Sequence, residues 1–271
     1  MSTYFIGDLH GCYDQFRYLL EKVNFNSFKD ELWITGDLVG RGPSSYDVLK
    51  YVLSLNNVKL VLGNHDLNLI LLYYGIQKKS IEKEISELLN NNNLEFIITK
   101  LKKIPLVQYD KKRKLIMSHA GIFPKWDLNE IIKFSTLSEK ILSGKNFLKY
   151  LSYMNGDFPN FYFYKLNKYN IFRFSINSFT RMRYCYINGE LDFSYKDKPP
   201  HFNKNIFPWF NINNKLDKNY SIFFGHWASL GNTTTPENIF PLDSGCCWNR
   251  YLTILRWEDK KIFKKKCNLN I

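Results

Sequence analysis

Residues 4–11 read Tyr4-Phe5-Ile6-Gly7-Asp8-Leu9-His10-Gly11: a short apolar run ends on glycine, and a carboxylate and an imidazole follow two positions apart. The same layout recurs along the chain. Leu32-Trp33-Ile34 precedes Thr35-Gly36-Asp37, and Leu60-Val61-Leu62 precedes Gly63-Asn64-His65-Asp66. Leu115-Ile116-Met117 precedes Ser118-His119-Ala120-Gly121, and Ile222-Phe223-Phe224 precedes Gly225-His226-Trp227. Short apolar runs bounded by turn residues suit strands buried on both faces. The polar residues then fall at the carboxyl ends of those strands, where α/β sheets place their ligands.

Helical patterns lie between these strands. Phe16, Leu19, Leu20 and Val23 follow the first motif at three- and four-residue spacing, and Val48, Leu49 and Val52 follow the second. Ile81, Ile85, Leu88 and Leu89 form a later stripe; Asn90 to Asn93 break it before Leu94, Ile97, Ile98 and Leu101. The pattern predicts a βαβαβ opening half and hence an α/β layered fold. Residues 124–200 differ, with few strand signals early, many aromatics later and no motif histidine. They are expected to form a largely helical insertion or cap. Near the carboxyl end Tyr251-Leu252-Thr253-Ile254-Leu255-Arg256 predicts a strand and Glu258-Asp259-Lys260 a turn. No linker, repeat or low-complexity tract interrupts the chain, so residues 1–271 are read as one domain.

At 271 residues the chain is long enough to bury a full core, and its 45% hydrophobic and 17% aromatic content excludes a disordered protein. The formal charge of +13 would favour a polyanion, either nucleic acid or a polyphosphate. The runs Lys111-Lys112-Arg113-Lys114, Lys260-Lys261 and Lys264-Lys265-Lys266 are more simply solvated turns and strand ends, and no nucleic-acid module accompanies them. Five cysteines, odd in number and without a Cys-x-x-Cys pair, are expected to be buried free thiols in a reducing compartment. The first residues lack a basic segment followed by an apolar one, and no apolar run approaches a membrane span. A cytoplasmic protein without membrane contact is the expectation.

Four of the five histidines, His10, His65, His119 and His226, sit inside the glycine-flanked motifs; His201 lies outside them. Taken singly each motif has a plainer explanation: a strand-end aspartate caps a turn or helix, and His226 beside Trp227 suits a core histidine. Five such motifs in one chain point to a site. Asp8 and His10 can reach one side of a strand end. Asp37 suits a carboxylate bridging two cations, with Asn64, His119 and His226 completing a second position. Oxygen and imidazole donors without thiolate favour manganese, iron, zinc or cobalt. Two such cations hold a phosphoryl group and acidify a bridging water for in-line displacement. His65 is then left as general acid, with Asp66 to orient it, and Arg41 to clamp phosphate oxygens.

The series Gly-Asp-x-His-Gly, Gly-Asp-x-x-x-Arg-Gly, Gly-Asn-His-Asp, His-Ala-Gly and Gly-His resembles the calcineurin-like metallophosphoesterases, in the branch that contains the Ser/Thr protein phosphatases. Within that branch several segments resemble the bacterial symmetrical bis(5'-nucleosyl)-tetraphosphatase family. They are Gly7-Asp8-Leu9-His10-Gly11-Cys12-Tyr13-Asp14, Thr35-Gly36-Asp37-Leu38-Val39-Gly40-Arg41-Gly42-Pro43 and Phe179-Thr180-Arg181-Met182-Arg183. Phe224-Gly225-His226-Trp227-Ala228-Ser229-Leu230 and Leu242-Asp243-Ser244-Gly245-Cys246-Cys247-Trp248 belong with them. The resemblance covers essentially the whole chain.

It implies a four-layer αββα sandwich and cleavage of diadenosine tetraphosphate into two ADP by a metal-bridging hydroxide. It also implies Asp8, His10 and Asp37 on the first metal, and Asp37, Asn64, His119 and His226 on the second. His65 would be the general acid, Arg41 the phosphate contact, and Arg181 or Arg183 a further one. Dinucleoside-polyphosphate-capped RNA is a candidate second substrate. One position departs from the protein phosphatases: Gly40 stands where they carry the aspartate that orients the general-acid histidine. Asp66 is the expected partial substitute. The alternatives are a Ser/Thr-type phosphoprotein phosphatase, which Gly40 disfavours, and a basic nucleic-acid-binding protein without catalysis, which has no need of six intact metal donors.

Overall fold

The computed structural model describes residues 1–77, 83–199 and 205–269. Among them the elements run β1 (Thr3–Ile6), α1 (Tyr13–Lys22), β2 (Glu31–Ile34), α2 (Ser45–Ser54), β3 (Val58–Leu60) and α3 (Asn64–Tyr73). Then come α4 (Lys83–Leu89), α5 (Leu94–Leu101), β4 (Val107–Asp110), β5 (Leu115–Ser118), α6 (Leu128–Ser143), α7 (Phe147–Met154) and α8 (Lys168–Thr180). The remainder is β6 (Tyr184–Tyr186), β7 (Leu191–Asp192), β8 (Ile206–Pro208), β9 (Ser221–Phe224), β10 (Ile239–Pro241), β11 (Tyr251–Arg256) and β12 (Lys261–Lys266). Contacts gather these into two compact units, Met1–Lys102 with Leu242–Ile271, and Lys103–Pro241.

The first unit carries a five-stranded sheet in the order β12-β11-β1-β2-β3. β1, β2 and β3 run parallel, as the βαβαβ pattern predicts, while β11 and β12 are antiparallel additions at one side. Every residue of β1 and β2 is buried, which is why both sequences are continuously apolar at their centres. Phe16, Leu19 and Leu20 form the buried stripe of α1, which packs on β11 and β12. The Tyr251–Arg256 strand and its following turn fall where the sequence puts them. β12 is an edge strand, and its exposed lysines suit that position because charge blunts edge-to-edge pairing.

The second unit carries a four-stranded sheet, β10-β9-β5-β4, and a three-stranded one, β7-β6-β8. β5, β9 and β10 are parallel; β4 joins β5 through the Lys111–Lys114 turn, where Arg113 pairs with Asp110 and Lys114 with Asp217. The charge run is therefore a solvated hairpin turn. The expected insertion belongs to this unit and is helical through α6, α7 and α8, with β6 and β7 after them. Its aromatics divide: Trp126, Phe134, Phe172, Phe174 and Phe179 are all 2% exposed or less, whereas Tyr153, Phe158, Phe161, Phe163 and Tyr164 are exposed. Each unit thus pairs a sheet with helices, the composition expected of the αββα class. Ile81 of the helical stripe, His201 and the last residue of the 124–200 segment lie outside the described residues.

Candidate metal centre

In the first unit three parallel strands deliver the donors. β1 ends at Ile6 and runs through Gly7 into Asp8; β2 ends at Ile34 and runs through Gly36 into Asp37; β3 leads through Gly63 into Asn64. Gly7 has to be glycine because the Leu242 carbonyl occupies the place of a β-carbon, and Gly63 because the Asp37 carboxylate does. Asn64 and His65 open α3, a helix the sequence patterns did not single out.

Asp8 and Asp37 are both only 2% exposed. Thr35 Oγ1 donates to Asp8 Oδ1 at 2.8 Å, and the His65 backbone N–H donates to Asp37 Oδ1 at 2.8 Å. His10 Nδ1 donates to the Val39 carbonyl at 3.2 Å, which leaves Nε2 facing Asp37 Oδ2 at 3.5 Å and Asp8 Oδ2 at 4.0 Å. Two carboxylates and an imidazole lone pair sharing a buried volume repel one another unless a cation lies among them. The hydrogen bond from Nδ1 is the kind that fixes the orientation of a ligating imidazole. The donor set therefore fits a hard divalent ion.

The backbone supports the same conclusion. His10 and Asp37 have positive φ, 43° and 47°, a conformation that costs most side chains about 1 kcal/mol or more. Most other such non-glycine residues are asparagines or lysines in turns. Asp8 and His10 meet because the chain turns sharply at His10, and not because a strand continues through both.

His65 is half-buried, its ring edge-on to His10 with centroids 4.7 Å apart. His10, Asp37 and His65 offer donor atoms all within 4.8 Å of one another. Asp66 is fully buried and accepts from the backbone N–H groups of Leu38, Val39 and Gly63 at 2.8, 3.3 and 3.0 Å. It clamps the loop after Asp37 to the start of α3, a positioning task set beside the orienting one expected of it. Gly40 packs against the His10 ring, leaving no room for a β-carbon. Arg41 is half-buried with its guanidinium 4.4 Å from the centre of the Trp248 ring.

The second unit presents an imidazole pair. His119 follows β5 and is fully buried; His226 follows β9 with φ of 64°; their ring centroids are 5.1 Å apart. The Gly225 N–H donates to the His119 carbonyl at 2.8 Å, tying the two strand ends together. His226 Nε2 donates to the Arg181 carbonyl at 3.2 Å, leaving Nδ1 for coordination. The two arginines differ. Arg181 is engaged by Asp157 at 2.7 Å and by Asn177 at 2.9 Å, whereas Arg183 donates to the His226 carbonyl at 2.8 Å. Neither Thr35 nor the Val39 carbonyl was legible as part of the site, since both act only through the groups they hold.

The cysteines depart from expectation at one pair. Cys12 and Cys246, 234 positions apart, form a disulfide, and Cys267 Sγ lies 2.8 Å from Cys246 Sγ; Cys185, Cys247 and Cys267 are buried thiols. The loop beginning at Leu242 packs on Gly7, bringing 246 beside 12, and no local spacing announces it.

The calcineurin-like phosphoesterase profile matches residues 1–155. "Bis(5'-nucleosyl)-tetraphosphatase, symmetrical" from Proteus mirabilis (strain HI4320) is 49% identical over 264 residues, covering 97% of both chains. The protein of that name from Buchnera aphidicola subsp. Schizaphis graminum (strain Sg) is 48% identical with the same coverage. A crystal structure provisionally described as a diadenosine tetraphosphatase aligns over 98% of this chain and 94% of its own, with a TM-score of 0.63 and 18% identity. A likeness at that identity speaks to the fold, which is the metallophosphoesterase α/β architecture.

Proposed function

The chain belongs to the calcineurin-like phosphoesterase family, and from that premise we propose that it is a metal-dependent hydrolase cleaving diadenosine tetraphosphate symmetrically into two ADP. The observation that carries the substrate is near-full-length similarity, at 46% identity or more, to relatives named for that reaction. The chemistry rests on the buried convergence of His10 Nε2 with the Asp8 and Asp37 carboxylates.

Asp8, His10, Asp37, Asn64, His119 and His226 are the proposed donors to two divalent ions, manganese by preference. Such ions supply Lewis-acid polarisation of a phosphoryl group and acidify water. The chain's own groups do the rest. Thr35 and the Val39 carbonyl hold Asp8 and His10 in register, and Asp66 fixes the loop that carries Asp37. Arg41 neutralises phosphate oxygens, with Arg181 or Arg183 as a further contact; Arg181 pairs with Asp157 and Arg183 donates to the His226 carbonyl. His65 donates a proton to the oxygen of departing ADP. Because that oxygen is already a good leaving group, electrostatic stabilisation outweighs proton transfer.

Capped RNA ends carrying the same polyphosphate are a second substrate within this proposal, and a cytoplasmic location belongs to it. No described helix is long and apolar enough to cross a membrane. The test is product analysis from diadenosine tetraphosphate with manganese, with and without chelator. Two ADP, lost on chelation, is the expected outcome. AMP with ATP would overturn the substrate assignment, and strong preference for a phosphopeptide would move the chain to the protein phosphatases.

A further inference from the structure

Trp248 is the one strongly exposed tryptophan of the six. Trp33, Trp126, Trp209 and Trp227 are at most 1% exposed and Trp257 is partly covered, whereas Trp248 is 54% exposed. Folding gains little from a ring left in water, so its place invites another use. The backbone that carries the ring is tied down on both sides. Cys246–Trp248 is a short 3-10 turn between two left-handed residues, Gly245 and Asn249. The Trp248 N–H donates to the Gly245 carbonyl at 3.0 Å and the Arg250 N–H to the same carbonyl at 3.1 Å. Cys246 and Cys247 anchor the turn in the core, and Cys246 is bonded to Cys12 at the start of α1.

The turn stands beside the donors of the first unit. The loop that carries it, from Leu242 onward, packs its Leu242 carbonyl against Gly7, the residue before Asp8, and Cys247 is buried. Arg41 lies over the indole at 4.4 Å, so one side of the ring carries a cation matched to phosphate. A nucleotide presents the same pairing, an aromatic base and an anion separated by a ribose.

We propose that Trp248 is a nucleobase platform: the purine of the substrate stacks on its exposed surface while the adjoining phosphates meet Arg41. Stacking is indifferent to base identity, because every base has a π-face, so the platform accepts adenine and other bases alike. The proposal deepens the tetraphosphatase reading and rests on it for the phosphates at Arg41.

The test compares ADP with methylenediphosphonate, a diphosphate without nucleoside, by calorimetric titration of the manganese-loaded chain. Trp248→Ala is expected to weaken ADP about ten-fold and methylenediphosphonate less than about two-fold. Trp248→Phe, which keeps a ring, should restore ADP to within about three-fold of the wild type. Equal weakening of both ligands would mean that Trp248 only orients Arg41 and would overturn the platform, as would no weakening of ADP. Binding is read without turnover, so a wild-type chain that fails to cleave diadenosine tetraphosphate sinks the substrate assignment while the ADP comparison still decides the platform.

Discussion

Gly40 lies against the imidazole of His10, so close that a β-carbon on it would run into Nδ1. That nitrogen is the one donating to Val39. The loop after Asp37 therefore supports His10 through its backbone, and a side chain at 40 is excluded on steric grounds. Gly40→Asp, which writes the protein-phosphatase residue into the motif, should lower activity and manganese affinity by ten-fold or more, about the cost of disturbing a ligand's outer support. Manganese titration of activity checks this; a gain in kcat would show that the missing carboxylate is a real deficit of this chain.

Thr35 donates a hydrogen bond to Asp8, a proposed metal donor. Thr35→Val keeps the shape and removes the hydroxyl, leaving Asp8 Oδ1 without its 2.8 Å donor. Metal affinity is expected to fall about ten- to a hundred-fold, measured as the manganese concentration for half-maximal activity. Unchanged affinity would reduce the bond to packing.

Asp66 is wholly buried and accepts three backbone N–H groups. In Asp66→Asn an amide N–H₂ replaces one acceptor oxygen and confronts a backbone donor. Stability should drop by about 2–3 kcal/mol, read as a lower urea midpoint. A drop in kcat with no loss of stability would instead favour the direct role beside His65.

His65 and His10 are neighbours with different expected losses. His65→Ala should keep bound manganese and lose about 10²-fold in kcat, the low end for a general acid because ADP leaves readily. His10→Ala should lose the metal itself. Metal analysis of both variants separates the roles, and loss of manganese from His65→Ala would make His65 a ligand.

Cys185 is fully buried, and burial raises its thiol well above the ordinary 9.0. In the unfolded chain that thiol ionises near 9.0, so above that pH the unfolded state releases a proton the folded state keeps. Stability is therefore intact below pH 9.0 and falls as pH rises, by about 1.4 kcal/mol per unit for this group. Urea midpoints at pH 8 and 10 should diverge more in the wild type than in Cys185→Ala; equal slopes would remove Cys185 as the cause.

The sequence by itself determined the strands, the order of the motifs and the residue types at each strand end. Tyr4-Phe5-Ile6, Leu32-Trp33-Ile34 and Ile222-Phe223-Phe224 are apolar because both faces of their sheets are covered, and that requirement is local. The candidate donors Asp8, Asp37, His119 and His226 could be named from the sequence for the same reason, since each lies just past the end of its strand. The sequence did not disclose what steadies them. Thr35 on Asp8 is a contact across 27 positions, Val39 on His10 one across 29, and Leu38 on Asp66 one across 28. The Cys12–Cys246 bond, and Trp248 beneath Arg41, join positions still more distant. These pairings depend on which strands are neighbours in the sheet and where the loops between them turn. Only the folded chain decides them, because hydrogen bonds and ring contacts act over a few ångströms and carry no periodicity along the chain.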